Sequence, residues 1–574
     1  AELEQQPQRE RGQPSSQSQQ PSSVSSQRPR AGAPNPGNMV TILFSAPLVW
    51  KDANEQFQPI EMLDFELERE LLWQCFKEAS MNIDLGFDNA TTDRLQATMT
   101  KNCGCLHFSG HGHPEYLTFE DGRGGLHWLG VTQLKDLISN GVQGGGAPFK
   151  FVFVSACHSG LAGETFVNAG VPHVVCCQQE SQLMDSAALA FTRAFYLALA
   201  IGRTVKDSFE IGRQAVAVSP SVSKPQEEMQ KFILLPKDGN HDEPVFEYLE
   251  PVAEWPGKNS NMTLVTSGGT GGAGSSKRDA LRKAKSNFMG SSRDFVTSGI
   301  ATAEQPSLPT PPQGFLGREI EMYLVLNAIL SKRLVSLVGN AGIGRSSLAS
   351  AICQYINDRK STMTKIETIF YIRARQARGS DRMGSIIYPL HKRLAASGKA
   401  PTLPKNADID DVSQNIFKAL HHTKALVVFD RVEMIEGSEE AQEFPMFLST
   451  LFRETKYARV LMTAHRRLGI PSLGGVGEHV FDLDPLNLKN TVRLFGMLCP
   501  FIHTGEERRR LIEQLVDPAE AHLLASDAGI GRKSKAVLNI LGDGIPSRTF
   551  DVAYKMTRDE YDSLMKLGEM DMED

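Results

Sequence analysis

No stretch of about 18 consecutive apolar residues occurs in this 574-residue chain, which excludes an ordinary membrane-spanning helix. The nearest approach, AALAFTRAFYLALAIG, is interrupted by Thr192 and Arg193 and reads as a buried amphipathic helix. The first 38 residues contain no apolar run of the secretory type. They are rich in Gln, Ser, Pro and Arg, a polar tract expected to be disordered. The chain begins with Ala1 rather than Met, so a fragment or a processed product is expected. Cysteine is sparse. Eight residues lie between Cys75 and Cys499 with no disulfide-like spacing, which points to free thiols in a reducing compartment and so to a cytoplasmic location. The formal net charge of -6 is small for this length, so nothing global points to nucleic acid. Paired C-x-x-C knuckles are missing, and no structural metal is expected. No internal repeat is visible.

What is present is the alternation of strands and helices. The length alone calls for two or three domains. After the polar tail of residues 1–38, a block over 39–254 opens with MVTILFSAPLV and continues through CLHFSG, FKFVFVSACHSG and VPHVVCCQ, each a β-like run leading into a helical pattern. FELERELLWQCFKEA reads as a helix, with Leu67, Leu71 and Cys75 recurring at helical spacing. Residues 255–314 shift to Gly, Ser, Thr and Pro, the chemistry of a flexible linker. KRDALRKAKSNF inside it is a basic stretch, read as solvated linker. A second α/β block spans 315–485, with strands RLVSLVGN, IETIFYIRA, KALVVFD, ARVLMTA and HVFDLDPL, and a helical subdomain occupies 486–574. The expected class is α/β, with mostly parallel sheets flanked by helices.

Two constellations carry chemistry. HFSGHG puts His111 where a strand gives way to glycine, and FVFVSACHSG does the same for Cys157. In open parallel sheets, functional groups collect beyond the carboxyl ends of strands. An imidazole beside a thiol can take its proton and return it to a leaving amine. The backbone at Gly112 and Cys157 could receive the oxyanion. His158 is the poorer base, because consecutive strand side chains face opposite ways. The same residues also fit an inert core thiol. Cys103, Cys105, His107, His111 and His113 offer metal-ligand types, though at no standard tetrahedral spacing. Cys105, His107 and Ser109 would line one face of a strand.

The second constellation is RLVSLVGNAGIGRSSLASAI, a strand, a glycine-rich turn and a helix. Gly339, Gly344, Arg345 and Ser346 fall on the pattern G-x-x-x-x-G-K-S/T, with arginine in place of lysine. Gly342 and Ser347 belong to the same phosphate-cradling turn. Ser346 is placed to ligate Mg²⁺. Asp430, ending KALVVFD, is the second Mg²⁺ residue, followed by Arg431 where an acid is common, with Glu433 as a substitute. Arg345 keeps the charge but is planar and bulky, so nucleotide binding with weak or absent hydrolysis is expected.

HFSGHG and FVFVSACHSG, with LTFEDGRGGLHWLGVTQLKDLI and VVCCQQESQLMDSAALAFTRAFYLALAIGRTVKDSFEIGRQA in order, resemble the CHAT group of caspase-like domains, relatives of caspases, metacaspases and separases. The resemblance implies a caspase-like sheet, His111 as base, Cys157 as nucleophile and a protein or peptide substrate. Metacaspases with a similar CHSG carry an acid two residues before the cysteine; Ser155 stands there, which leaves the P1 preference open. GFLGREIEM, RVLMTAHRR and GDGIPSRTF resemble NB-ARC and related STAND NTPases. That likeness implies an ATP or ADP switch whose base and sensor positions include Phe315, Gly317, Arg318, Thr463 and Pro546, with Arg466 nearby. It also implies assembly into a homo-oligomer, and an ARC-like end that is truncated, since too few residues follow Pro546 for a winged helix or a repeat sensor. The expected function is a nucleotide-regulated cysteine endopeptidase in cell-death or defence signalling. The alternative is an inactive caspase-like scaffold on a nucleotide-binding oligomerisation domain.

Overall fold

The computed structural model describes residues 36–63, 65–140, 147–178, 185–252, 308–312, 314–375, 382–404, 407–435 and 442–569. The polar tail up to residue 35, nearly all of the Gly/Ser/Pro-rich segment with its basic stretch, and the last five residues lie outside them.

Fifteen strands are described: β1 (Met39–Ser45), β2 (Val49–Lys51), β3 (Phe57–Pro59), β4 (Asp84–Asn89), β5 (Cys105–Gly110), β6 (Tyr116–Glu120), β7 (Leu126–Gly130), β8 (Phe151–Ser155), β9 (Val174–Cys177), β10 (Phe232–Leu235), β11 (Leu334–Val338), β12 (Thr368–Arg373), β13 (Ala425–Asp430), β14 (Arg459–Ala464) and β15 (His479–Asp482). The fold is α/β. The first sheet has the order β10-β9-β8-β5-β1-β4 and is parallel except where β10 runs against β9. The second has the order β12-β13-β14-β11-β15 and is parallel throughout. Two hairpins, β2–β3 and β6–β7, stand outside the sheets.

The strands are nearly continuous apolar runs because both of their faces are covered. In β8, Phe151 and Phe153 enter the core on one face while Val152 and Val154 enter that on the other. In β13, Val427 and Phe429 likewise oppose Leu426 and Val428. Each fully buried aromatic of this kind stabilises the fold by about 1.5–3 kcal/mol. Phe153 is enclosed by the rings of Phe191, Phe195 and Tyr196. Those rings come from the helix Asp185–Ala200, the interrupted apolar run, whose Thr192 is buried.

The helix read in FELERELLWQCFKEA spans Phe65–Ala79. In Phe65–Ala79 the buried residues are Glu68, Leu72, Cys75 and Phe76, whereas Leu67 is exposed. Leu71 packs at the margin of that core, and Glu68 has buried partners on the sheet, described below.

The apolar cores are not confined to their sheets. Leu48 and Val49 pack with Met322, Val325 and Leu326 of the helix Glu319–Ser331 in one cluster. The ring of Phe57 of β3 meets that of Tyr323 in a tilted contact with centroids 4.8 Å apart. The two α/β units therefore share a buried apolar seam, while the helices from Leu488 onward have a core of their own.

Candidate functional site

β5 and β8 are adjacent and parallel, with Ser109 opposite Ser155. His111 and Cys157 each lie two residues beyond that pair, in the crevice past the carboxyl ends of the strands. The two loops touch through their main chains. A Cβ on Gly112 would fall 1.7 Å from the Cys157 carbonyl oxygen and 2.6 Å from its nitrogen, so only glycine permits this approach. Cys157 is half-buried, while the other seven cysteines are buried. Burial pushes the Cys75 thiol up to about 11 and that of Cys177 to about 12.

His111 is held at two points. Its Nε2 donates to the Glu61 carbonyl oxygen at 2.6 Å, which leaves the Nδ1 lone pair for another partner. Its own carbonyl accepts from Thr118 Oγ1 at 2.6 Å. Neither Glu61 nor Thr118 was anticipated; a carbonyl acceptor in a loop leaves no side-chain signature in a sequence. The strand β8 stops at Ser155, so the strand argument against His158 does not apply. His158 instead adopts a left-handed conformation (φ 54°), and its N–H is bonded to the Cys177 sulfur. Ser159 closes the turn, accepting from the Cys177 N–H at 2.9 Å and donating to Val154.

Cys105, His107 and Ser109 do share a buried face of β5. His107 Nδ1 meets the Tyr196 hydroxyl at 2.9 Å and its Nε2 meets Glu68 at 3.2 Å, while Ser109 Oγ donates to Glu68 at 2.6 Å. This network anchors the helix Phe65–Ala79 to the strand that ends at the site. Cys103 donates to backbone carbonyls and contacts Thr41. Among the described residues no group of three His, Cys, Asp or Glu is arranged to hold a metal ion.

In the second unit, Gly339, Gly342 and Gly344 all have positive φ, as a phosphate-cradling loop requires between β11 and the helix Arg345–Asp358. Ser346 Oγ donates to Asp430 Oδ1 at 2.6 Å, and Thr463 Oγ1 donates to the same oxygen at 2.7 Å. Thr463 also accepts the Arg431 N–H, so β14 is tied to the end of β13. Ser347 lies in the first turn of the loop helix, half-buried. Pro546 abuts Gly344, and Ser547 donates its N–H to the Gly342 carbonyl, so a helix of the C-terminal subdomain sits on the loop. Phe315 packs on the shared apolar seam. Gly317 contacts Asn490, and Arg318 is buried against the carbonyls of Ile343 and Asp484. Arg466 lines a separate depression with Gln442 and Met446.

Arg345 is buried at the start of the loop helix. Its Nη2 lies 3.2 Å from Glu433, while its buried Nη1 has no hydrogen-bond partner among the described residues. Glu433, read as a substitute acid, is occupied by Arg345 and by His465 at 3.5 Å. Arg373, which the sequence reading passed over, places Nε 2.9 Å from Asp430 Oδ2. The loop fits a polyphosphate: glycines at positive φ, a helix N-terminus and an orphaned guanidinium nitrogen converge there. Ser346 and Asp430 are close enough to share one divalent ion, with Arg373 as the competing cation.

Comparison with known proteins gives residues 4–231 as a CHAT domain and residues 333–498 as a NACHT domain. The second match is to NACHT; NB-ARC is a narrower assignment within the same broad class of STAND P-loop NTPases. No curated protein matches the chain. Among solved structures it is similar to a Walker-type ATPase of Pyrococcus abyssi (16% identity, 45% of this chain and 73% of that one, TM-score 0.29). A STAND protein with a tetratricopeptide-repeat sensor from Pyrococcus horikoshii gives 19% identity over 47% and 41%, TM-score 0.24. The Arg-specific cysteine proteinase gingipain R gives 14% over 36% and 46%, TM-score 0.24. The chain spans less than half the length of the last two. No helix among the described residues is long and apolar enough to cross a membrane.

Proposed function

We propose that this chain, which joins a CHAT domain to a NACHT-type P-loop NTPase domain, is a cysteine endopeptidase regulated by nucleotide. The observation that carries the reading is the main-chain contact of Gly112 with Cys157, with the His111 ring fixed by the Glu61 carbonyl. With Nε2 donating to Glu61, Nδ1 is the atom that accepts the Cys157 proton. The sulfur then attacks the scissile carbonyl carbon, and backbone N–H groups at Gly112 and Cys157 receive the oxyanion. Collapse expels the amine, which takes the proton from His111. Water, deprotonated by the same imidazole, releases the acid and restores the thiol.

The nucleotide is ATP or ADP. The turn at Gly342 and Gly344 and the first turn of the helix bind its phosphates, Ser346 and Asp430 hold Mg²⁺, and Arg345 donates through Nη1. Bound Mg²⁺ neutralises phosphate charge. Hydrolysis is slow in this reading, because Glu433 is committed to Arg345 and His465 rather than to a water. A homo-oligomer built through the NTPase domain, and a cytoplasmic signalling role, complete this reading, with the domain types as their support.

The test is a peptide-based electrophile that labels active-site cysteines, applied with ADP, with a non-hydrolysable ATP analogue and without nucleotide. Labelling lost in both Cys157→Ala and His111→Ala supports the peptidase. Labelling absent in every nucleotide state sinks it and favours an interaction scaffold.

A further inference from the structure

The two groups that hold His111 belong to segments that are each tied to the nucleotide-binding unit by an arginine. Thr118, which bonds the His111 carbonyl, lies on β6 two residues from Glu120, so their side chains share a face. Glu120 is fully buried and receives Arg359 in a bidentate pair, Nε to Oε2 at 2.7 Å and Nη2 to Oε1 at 2.8 Å. Arg359 directly follows the helix Arg345–Asp358, whose first residues form the phosphate loop. That helix is a stiff rod of about 20 Å, with nucleotide at one end and the peptidase hairpin at the other.

The second tie meets the imidazole itself. Glu61, whose carbonyl holds Nε2, has its carboxylate paired with Arg493. Arg493 lies on the helix Leu488–Leu498, one turn from Asn490, which packs on Gly317. The same subdomain covers the phosphate loop through Ser547.

We propose that Arg359 and Arg493 are positioning residues for His111, through which the occupancy of the phosphate loop sets the geometry of the His111–Cys157 pair. The inference rests on the peptidase reading above and adds its means of control. Movement of the loop helix shifts Glu120, and with it Thr118 and the His111 backbone. Movement of the C-terminal subdomain shifts Glu61 and the His111 ring. Both arms converge on one residue, so a change in either alters the alignment of Nδ1 with the thiol. Fixed charges mediate both ties, and neither requires a new contact to substrate.

The experiment uses the full chain and follows alkylation of Cys157 by iodoacetamide, site by site in digests, from about pH 5.5 to about 9, spanning imidazole and thiol ionisation. It is run with ADP, with a non-hydrolysable ATP analogue and without nucleotide, for the parent chain, His111→Ala, Arg493→Ala and Arg359→Lys. In the parent, the profile carries a His111-dependent inflection, and its rates differ by about fivefold or more between nucleotide states, the usual scale of coupling between sites. In Arg493→Ala the inflection remains but the nucleotide response is lost, with nucleotide affinity and melting temperature retained. Arg359→Lys keeps the charge, loses the bidentate fork and has a reduced response. Arg493 is half-buried and pairs with an exposed carboxylate, so that variant keeps the test intact if Arg359→Lys fails to fold. A nucleotide response unchanged in Arg493→Ala and in a folded Arg359→Lys overturns the inference, as does a His111-dependent parent profile indifferent to nucleotide. A parent profile indifferent to His111→Ala overturns the peptidase reading instead, and this one with it.

Discussion

At the ends of β5 and β8 the candidate pair is held by main chain: a glycine backbone against Cys157, and a loop carbonyl on the ring of His111. At the end of β11 the charged side chains that bear on the loop are paired largely with other side chains. Arg345 faces Glu433, and Asp430 faces Arg373, Ser346 and Thr463. A site built on backbone keeps its shape whether or not a neutral peptide is present. A site of mutually satisfied charges must exchange protein partners for ligand when a polyphosphate arrives, so it has two arrangements by construction. The first is suited to chemistry and the second to switching.

Gly112→Ala tests the backbone-built half most severely. A Cβ cannot exist 1.7 Å from a carbonyl oxygen, so the loops must part by an ångström or more. Labelling of Cys157 by a peptide electrophile should fall about 100-fold, with nucleotide binding untouched. The energetic weight of the ties between the units comes next. Arg359→Ala strands the buried Glu120 carboxylate and should cost about 3–5 kcal/mol in denaturant unfolding. Arg493→Ala breaks an exposed pair and should cost about 0–1 kcal/mol. Equal costs would mean that the two arms are not the unequal supports their burial implies.

In the ion-pair half, Glu433→Gln frees Arg345 to turn toward phosphate. Calorimetric titration with ADP should show roughly tenfold tighter binding, about 1.4 kcal/mol. Unchanged or weaker binding would show that the pair holds the arginine in its working position. The smallest effect concerns a neighbour of the reactive thiol. Burial raises Cys177 to about 12, above its unfolded value, so the neutral thiol dominates until the solution approaches that pH. At about pH 8 only about one Cys177 in ten thousand is ionised. Native-state alkylation should therefore mark Cys157 and spare Cys177, and Cys177→Ser should leave the Cys157 rate nearly unchanged.

Much of the frame was legible because local pattern and tertiary placement agree. FVFVS and ALVVFD are apolar on both faces, so they are central parallel strands wherever they occur in such a fold. The glycines of the phosphate loop announce their backbone angles. Legibility fails where a residue's role is set by a partner far along the chain. Glu68 looks like a solvated helix residue, yet it is buried by His107 and Ser109. Arg359 and Glu120 read as ordinary surface charges, and only the packing of the β6–β7 hairpin against the end of the loop helix joins them across 239 positions. Arg373 ends a strand as many basic residues do; nothing in IETIFYIRA says that it will meet Asp430. Glu61 contributes a carbonyl, and every residue has one.

The apolar seam formed by Leu48, Val49, Met322, Val325 and Leu326 bears on how the chain can be handled and degraded. If a protease cut between the two units, the pieces would not drift apart as independent globules, because each would still need the other to keep its greasy face dry. Either half produced alone would bring that face to water and should self-associate or recruit chaperones. A nick in this chain would release a terminus without releasing a domain.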